Sequence, residues 1–204
     1  MPGSESMLGV RSQAPLGSVS RRTIRSNRAP LLTLWAAVAT ERLGFDRAAA
    51  LTLGRALAGS SAQMKGRALG IYKPSDKPPS KAAKERRQEL EPEDTVGVRL
   101  LGRVVPTVQT AEGIRALDKD FRPASAASVE RYLASKFGDH LDEARAAMER
   151  LAGSIPPKEL NRQAFALYEA FRLAVPAGVR GWGAEGQLDL DRIIALANDP
   201  RARE

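Results

Sequence analysis

The sequence predicts a mainly α-helical protein, in which a small helical N-terminal unit is followed by a helical C-terminal unit that carries one β-hairpin. Ala and Leu are abundant and aromatic residues make up 5% of the 204 residues. This composition favours helices, because Ala and Leu lose little conformational freedom in them. Apolar residues also recur at helical spacing along most of the chain. Strand-like alternation is confined to a Val-rich stretch at residues 95–110.

The beginning of the chain has a different character. Gly, Ser and Pro are scattered through residues 1–28 without a sustained hydrophobic period, which is typical of a mobile segment. Positive charge is concentrated in its second half, at Arg21, Arg22, Arg25 and Arg28. The pattern therefore predicts a mobile basic arm.

Three closely spaced helices are predicted over residues 29–72, which together form a basic unit. The first spans Leu31–Leu43, where apolar residues three and four positions apart make a stripe, and the second spans about residues 47–58. The sequence Gly59-Ser60-Ser61 is expected to end the second helix and to cap a third, short helix over Ala62–Leu69.

The segment around Gly59-Ser60-Ser61 has two interpretations. As a helix-turn-helix, it would make its short third helix the recognition helix, with Gln63, Lys65 and Arg67 facing the groove of DNA. As part of a small helical bundle, the same residues would supply ordinary core and surface positions. The sequence is compatible with both.

Residues 73–94 contain four prolines and few apolar residues, and they are predicted to be a charged, Pro-rich linker. The unit over residues 95–204 begins with Val-rich segments that flank Gly102-Arg103, a pair suited to a two-residue type II′ hairpin turn. Because Pro106 lacks a backbone donor, the second strand is expected at an edge of the sheet. Four amphipathic helical patterns complete this unit.

Several classes of site are excluded or unsupported. The chain has no cysteine, so disulfides, thiolate nucleophiles and cysteine-ligated metals are excluded. It contains no glycine-rich phosphate loop, no serine nucleophile elbow and no HExxH zinc motif. We therefore expect no enzymatic activity and no cofactor. No apolar run approaches the roughly 20 residues that span a bilayer, so a cytoplasmic protein without membrane contact is predicted.

Three other candidates have ordinary structural explanations. His140 is the one histidine, and a single imidazole among carboxylates is expected to lie at a helix start rather than to hold a metal. Asp189 and Asp191 are expected to cap a helix rather than to bind magnesium. Trp182, among glycines, is expected to cover the core rather than to stack on a base.

Charge is distributed unevenly along the chain, whose net charge is +8. Residues 1–87 hold 16 Lys or Arg against 5 Asp or Glu, whereas residues 88–204 hold 16 against 19. Such asymmetry is typical of proteins that bind polyanions, since Lys and Arg neutralise phosphates and release counterions. It predicts a nucleic-acid-binding protein, in particular a DNA-associated regulatory protein. The expected contact residues are Arg21, Arg22, Arg25, Arg28, Gln63, Lys65, Arg67 and Lys73.

Two other classes of function stay open. One is a protein-interaction or adaptor module without a nucleic-acid role, either as a homo-oligomer or with another protein partner. It is favoured by the helix over Leu31–Leu43, which is apolar on more than one face and has to be covered. The other is an enzyme of unrecognised type, which would need a pocket of several carboxylates around His140 or Asp189.

Overall fold

A computed structural model describes residues 22–68, 80–90, 95–178 and 184–199. These residues are mostly helical and include two small antiparallel sheets. The helices are α1 (Arg28–Arg42), α2 (Arg47–Ala68), α3 (Lys81–Glu89), α4 (Ala126–Phe137), α5 (Leu141–Gly153), α6 (Pro157–Phe171) and α7 (Leu190–Asn198). The strands are β1 (Thr23–Asn27), β2 (Thr95–Leu100), β3 (Arg103–Thr110), β4 (Gly113–Ala116) and β5 (Glu185–Asp189).

Helix α1 is the centre of the core. Every residue from Pro30 to Thr40 is buried, because the helix packs against α2, α4, α5 and α6. One apolar cluster joins these helices, so the N-terminal and C-terminal parts of the chain share a core. The apolar faces of α1, which at the sequence level favoured self-association, are thus covered by the chain's own helices.

Helices α1 and α2 approach each other closely in this core. A Cβ atom built on Gly54 would lie 2.7 Å from the backbone nitrogen of Ala37 and 2.8 Å from the carbonyl oxygen of Thr33. Real Cβ atoms do not approach backbone atoms this closely. Gly54 therefore lets α2 lie directly on the backbone of α1, an approach that any larger residue at this position prevents.

The prediction of three helices in this region is wrong, because α2 continues through Gly59-Ser60-Ser61. The hydroxyl group of Ser60 donates a hydrogen bond to the carbonyl oxygen of Leu57 at 3.0 Å, within the helix. A glycine inside a helix costs only about 1 kcal/mol relative to alanine. Burial of the apolar side chains of Leu57 and Ala58 on one side of α2 offsets that cost. Residues 47–68 consequently contain no helix-turn-helix.

The end of the predicted mobile arm is also ordered, which corrects that prediction for its last residues. Thr23–Asn27 forms β1, which pairs antiparallel with β5, from Thr23 opposite Asp189 to Asn27 opposite Glu185. Ile24 and Ser26 face the interior. The pairing partner lies at the other end of the chain, so no local pattern could have indicated it. Residues 1–21 lie outside the described part of the structure.

Strands β2, β3 and β4 form the second sheet in that order, so the predicted hairpin is present but has a third strand. Its turn residues are Leu101 and Gly102, with φ of 50° and 74°, rather than the predicted Gly102-Arg103. Two successive positive φ angles indicate a type I′ turn, not type II′.

The prediction that the strand containing Pro106 lies at a sheet edge is wrong, since β3 is the central strand. Pairing between β3 and β4 begins at Thr107 opposite Ala116, so Pro106 lies just beyond the end of β4. Its carbonyl oxygen still accepts a hydrogen bond from the backbone N–H of Leu117 at 2.9 Å. The absence of a backbone N–H at Pro106 therefore removes no hydrogen bond between β3 and β4.

Part of the predicted linker folds as α3. Ser80 caps this helix by accepting a hydrogen bond from the backbone N–H of Ala83 at 3.2 Å, and the Ala83 side chain is buried. Arg86 Nε donates to the carbonyl oxygen of Asp120 at 3.0 Å, which ties α3 to the loop before α4. Among the described helices, none has the length and apolar character needed to cross a membrane.

A buried hydrogen bond attaches the three-stranded sheet to α2. Thr52 Oγ1 donates to the carbonyl oxygen of Ala49 at 2.9 Å and accepts from the backbone N–H of Ala116 at 3.2 Å. Thr52 and Ala116 are both inaccessible to solvent. The Thr52 hydroxyl group is therefore the hydrogen-bond acceptor for the buried backbone N–H of Ala116, at the end of β4.

We expect Thr52→Val to lower the free energy of unfolding by about 1–3 kcal/mol, because it leaves the Ala116 N–H without a partner in the core. Thr40→Val is the matched control. The equally buried Thr40 hydroxyl only donates to the carbonyl oxygen of Ala36, four residues earlier in the same helix, and its loss is expected to change stability little. Urea denaturation measures both. Equal effects of the two substitutions would contradict this role of Thr52.

Candidate anion-binding cleft

Two of the predicted phosphate-binding arginines form ion pairs within the chain. Arg22 Nε and Nη2 each donate to Asp191 Oδ1 at 3.2 Å, and Arg22 Nη1 lies 3.8 Å from Glu143. Arg25 Nη2 lies 4.0 Å from Glu185 across the β1–β5 pair. The basic end of the arm is thus held against acidic residues of the C-terminal half, and these arginines do not lie in one free basic patch.

The other predicted contact residues have different outcomes. Arg21 and Lys73 lie outside the described residues, as do the side chains of Lys65 and Arg67. Gln63 lies exposed on α2. Arg28, at the first position of α1, lines a cleft between helices.

This cleft has a volume of about 200 Å³, and its walls come from the start of α1, the C-terminal half of α2, the start of β3 and the end of α6. The lining residues are Arg28, Leu32, Ser61, Met64, Arg103, Phe165, Tyr168, Glu169 and Arg172. Segments remote in sequence therefore bring three arginines to one concave surface.

Aromatic packing fixes the α6 wall. The rings of Trp35 and Phe171 meet edge to face with centroids 5.2 Å apart, and those of Tyr168 and Phe171 do so at 5.9 Å. Trp35 Nε1 also donates to the carbonyl oxygen of Ala164 at 2.8 Å. Because Trp35 lies at the centre of α1, these contacts set the position of α6, and with it of Arg172, relative to Arg28.

Arg103 is held by two contacts within the cleft. Its guanidinium carbon lies 5.1 Å from the centroid of the Phe165 ring, in the range of a cation–π interaction. Its Nη1 atom also lies 2.7 Å from Met64 Sδ. Both are weak interactions, so Arg103 is oriented without being neutralised by a carboxylate in these contacts.

Positive charge exceeds negative charge in the lining. Against the three guanidinium groups stands Glu169, which pairs with Arg172 at 2.5 Å. Burial, reinforced by Glu169, raises the pKa of Tyr168 well above its usual value, although Arg28 and Arg172 oppose the shift. The phenol therefore stays protonated and adds no negative charge. Its hydroxyl group points to the carbonyl oxygen of Arg28 at 3.4 Å.

Two polar atoms of the lining have no hydrogen-bond partner. Among the described residues, four buried side-chain nitrogen or oxygen atoms lack one, and two of these, Arg28 Nε and Ser61 Oγ, belong to residues that line this cleft. Ser61 is only 7% exposed. An unpaired buried donor costs about 1–3 kcal/mol. A ligand whose oxygen atoms accept from both groups would recover that cost, and an anion would also compensate the arginine charges.

The remaining candidates occupy structural positions. His140 lies exposed before α5, with Nδ1 3.8 Å from Glu143. Asp189 caps α7 by accepting a hydrogen bond from the backbone N–H of Arg192 at 3.2 Å, which confirms the capping interpretation, and Asp191 pairs with Arg22. No group of three or more His, Asp or Glu suited to a metal ion occurs in the described ranges. Trp182 lies outside them.

Comparison with known proteins gives no family for this chain: no family model, curated protein or solved structure matches it. The residues of the cleft are therefore the basis for a functional proposal.

Proposed function

We propose that the protein binds nucleic acid and that the cleft between α1, α2, β3 and α6 receives its phosphate. The observation that supports this proposal best is the convergence of Arg28, Arg103 and Arg172 on one cleft. Two of the lining residues also carry a buried atom without a hydrogen-bond partner, Arg28 Nε and Ser61 Oγ. Guanidinium groups match the geometry of phosphate oxygens and stay charged at all physiological pH values. Phosphate groups would thus satisfy both the charge and the donors of the site.

The rest of the chain supports a polymeric rather than a small ligand. The net charge is +8, with +11 on residues 1–87 and −3 on residues 88–204, so a polyanion is attracted over a distance. Phe165 adds an aromatic ring to the cleft, and aromatic rings stack on the bases of single strands. DNA is the first polymer to test, because the sequence predicts a DNA-associated regulator.

The arm has a different role in this proposal from the one expected at the sequence level. Arg22 and Arg25 pair with carboxylates of the C-terminal half, so they mainly position the start of α1 and contribute little to phosphate binding. The double variant Arg22→Gln/Arg25→Gln is therefore expected to change affinity by less than about threefold, because both arginines lie beside carboxylates and neither lines the cleft. Fluorescence anisotropy with a labelled oligonucleotide measures the effect.

The proposal itself is tested by titrating labelled single-stranded and duplex DNA of random sequence with the purified protein across a salt series. Binding in the micromolar range, with the logarithm of affinity falling linearly with the logarithm of salt concentration, is the expected result. If neither polymer binds at low salt, the proposal is wrong. The protein-interaction module without a nucleic-acid role then becomes the leading hypothesis.

A further inference from the structure

We infer that the cleft recognises a phosphate monoester, the group found at a phosphorylated strand end, in preference to an internal phosphodiester. This inference rests on the proposed function, because it takes nucleic acid as the source of the phosphate. The choice of a monoester is argued from the cleft itself. The charge of the lining and the unpartnered donors favour the monoester over the diester, and the cleft is large enough to hold it.

The size of the cleft limits what enters it. Its volume of about 200 Å³ is below the roughly 300–1,000 Å³ of sites for drug-sized ligands. Its walls come from four separate elements, α1, α2, β3 and α6. One phosphate with part of its nucleotide fits such a space.

The charge of the lining favours a dianion. Three arginines and one glutamate give the cleft a formal charge of +2. A phosphate monoester carries about −1.5 to −2 at pH 7, whereas a phosphodiester carries a single negative charge. A monoester therefore neutralises the cleft, and a diester leaves it positive.

The unpartnered donors favour the same group. A monoester presents three terminal oxygen atoms and a diester only two, and charge-assisted hydrogen bonds to such oxygens are the strong ones. Arg28 Nε and Ser61 Oγ are both buried and free of other hydrogen bonds. The apolar lining, Leu32, Met64 and Phe165, leaves a surface for the carbon atoms of the adjoining nucleotide.

Two kinds of molecule carry this group: a nucleic-acid strand with a phosphorylated end, and a free mononucleotide. Competition against a 3′-labelled, 5′-phosphorylated 12-mer of thymidine separates them. The competitors are unlabelled 12-mers with a 5′-phosphate, a 3′-phosphate or two hydroxyl ends, together with thymidine 5′-monophosphate and inorganic phosphate. We expect at least one phosphorylated 12-mer to compete at least tenfold better than the hydroxyl-ended one.

A matched pair of neighbouring serines tests the role of the cleft itself. Ser61→Ala removes the unpartnered hydroxyl group and is expected to reduce the preference for a phosphorylated end by about fivefold or more while the protein stays folded. Ser60→Ala removes a hydroxyl group that is bonded to Leu57 within α2 and lies outside the lining, so the preference is expected to be unchanged. Urea denaturation of both variants checks that they fold.

Equal competition by all three 12-mers would overturn the monoester inference and leave nucleic-acid binding intact. Absence of binding to every 12-mer, combined with binding of the mononucleotide, would support the monoester site and overturn nucleic acid as its source. Absence of binding to any phosphate compound would overturn both. A preference that survives Ser61→Ala unchanged would also overturn the assignment to this cleft.

Discussion

Replacing Gly54 by alanine is expected to lower the free energy of unfolding by about 3 kcal/mol, because the added methyl group overpacks the α1–α2 contact. The new Cβ atom would lie 2.7 Å from the nitrogen of Ala37 and 2.8 Å from the oxygen of Thr33. Both are backbone atoms, so no side-chain rotation relieves the clash and the two helices have to separate. Helix propensity alone predicts the opposite sign, since alanine favours a helix by about 1 kcal/mol over glycine.

Gly59→Ala is the control for this substitution within the same helix. Nothing lies within 4 Å of a Cβ atom built on Gly59, so only helix propensity acts and we expect stability to rise by about 0.5–1 kcal/mol. Urea denaturation of the two variants compares them directly. A Gly54→Ala protein as stable as the Gly59→Ala protein would contradict the close packing of α1 on α2.

Removing the cleft arginines together is expected to weaken nucleic-acid binding at least 100-fold at about 0.1 M salt. Each hydrogen bond between a charged group and phosphate contributes about 1.5–3 kcal/mol, and Arg28→Gln, Arg103→Gln and Arg172→Gln remove three guanidinium groups from one site. The slope of log affinity against log salt is expected to become shallower by about 0.7 with single-stranded DNA, because the three arginines bind one phosphate. Anisotropy titration measures both quantities.

The control carries the same change in net charge at other positions. Arg99, Arg122 and Arg192 are exposed, and none of them lines the cleft. The triple glutamine variant at these three positions is expected to retain affinity within about fivefold. If both triple variants lose affinity equally, net charge rather than the cleft determines binding. Thermal denaturation of both proteins shows whether a loss of affinity reflects unfolding.

Local sequence patterns were sufficient to predict much of the helical structure. The amphipathic period of α6 and the start of α7 at Asp189 are determined by nearby residues, and the structure agrees with both. Asp46, directly before α2, accepts a hydrogen bond from the backbone N–H of Ala49 at 2.9 Å, and Asp is among the residues preferred at a helix start. Such features depend on contacts within one or two helical turns, which a single sequence displays directly.

Features that depend on distant contacts were missed or mistaken. The short strand β1 exists because β5 pairs with it, and α2 continues through Gly59 because its buried side packs on the core. The excess of positive charge in residues 1–87 predicted a basic surface that binds phosphate. Arg22 and Arg25, however, form ion pairs with acidic residues of the C-terminal half of the chain. A count of charges does not show where their partners lie.

The composition of the cleft also depends on contacts between segments that are distant in sequence. Arg28 was predicted to contact phosphate, but Arg103 and Arg172 were not, although each has a local signal. Arg103 directly follows the glycine of a tight turn, and Arg172 directly follows the amphipathic helix α6. From the sequence alone, these positions predict only that each arginine lies at one end of a helix or strand. Only the packing of α6 and β3 against α1 brings the three side chains together.

Whether the cleft receives phosphate is tested by a nuclear magnetic resonance titration that follows the arginine Nε–Hε signals of the full chain. The probe is a 5′-phosphorylated hexamer of thymidine. If the cleft receives phosphate, the signals of Arg28, Arg103 and Arg172 shift together and saturate at one concentration, while that of Arg99 stays in place. Saturable shifts at Arg22 and Arg25 with unchanged cleft signals would contradict the account and return phosphate binding to the arm.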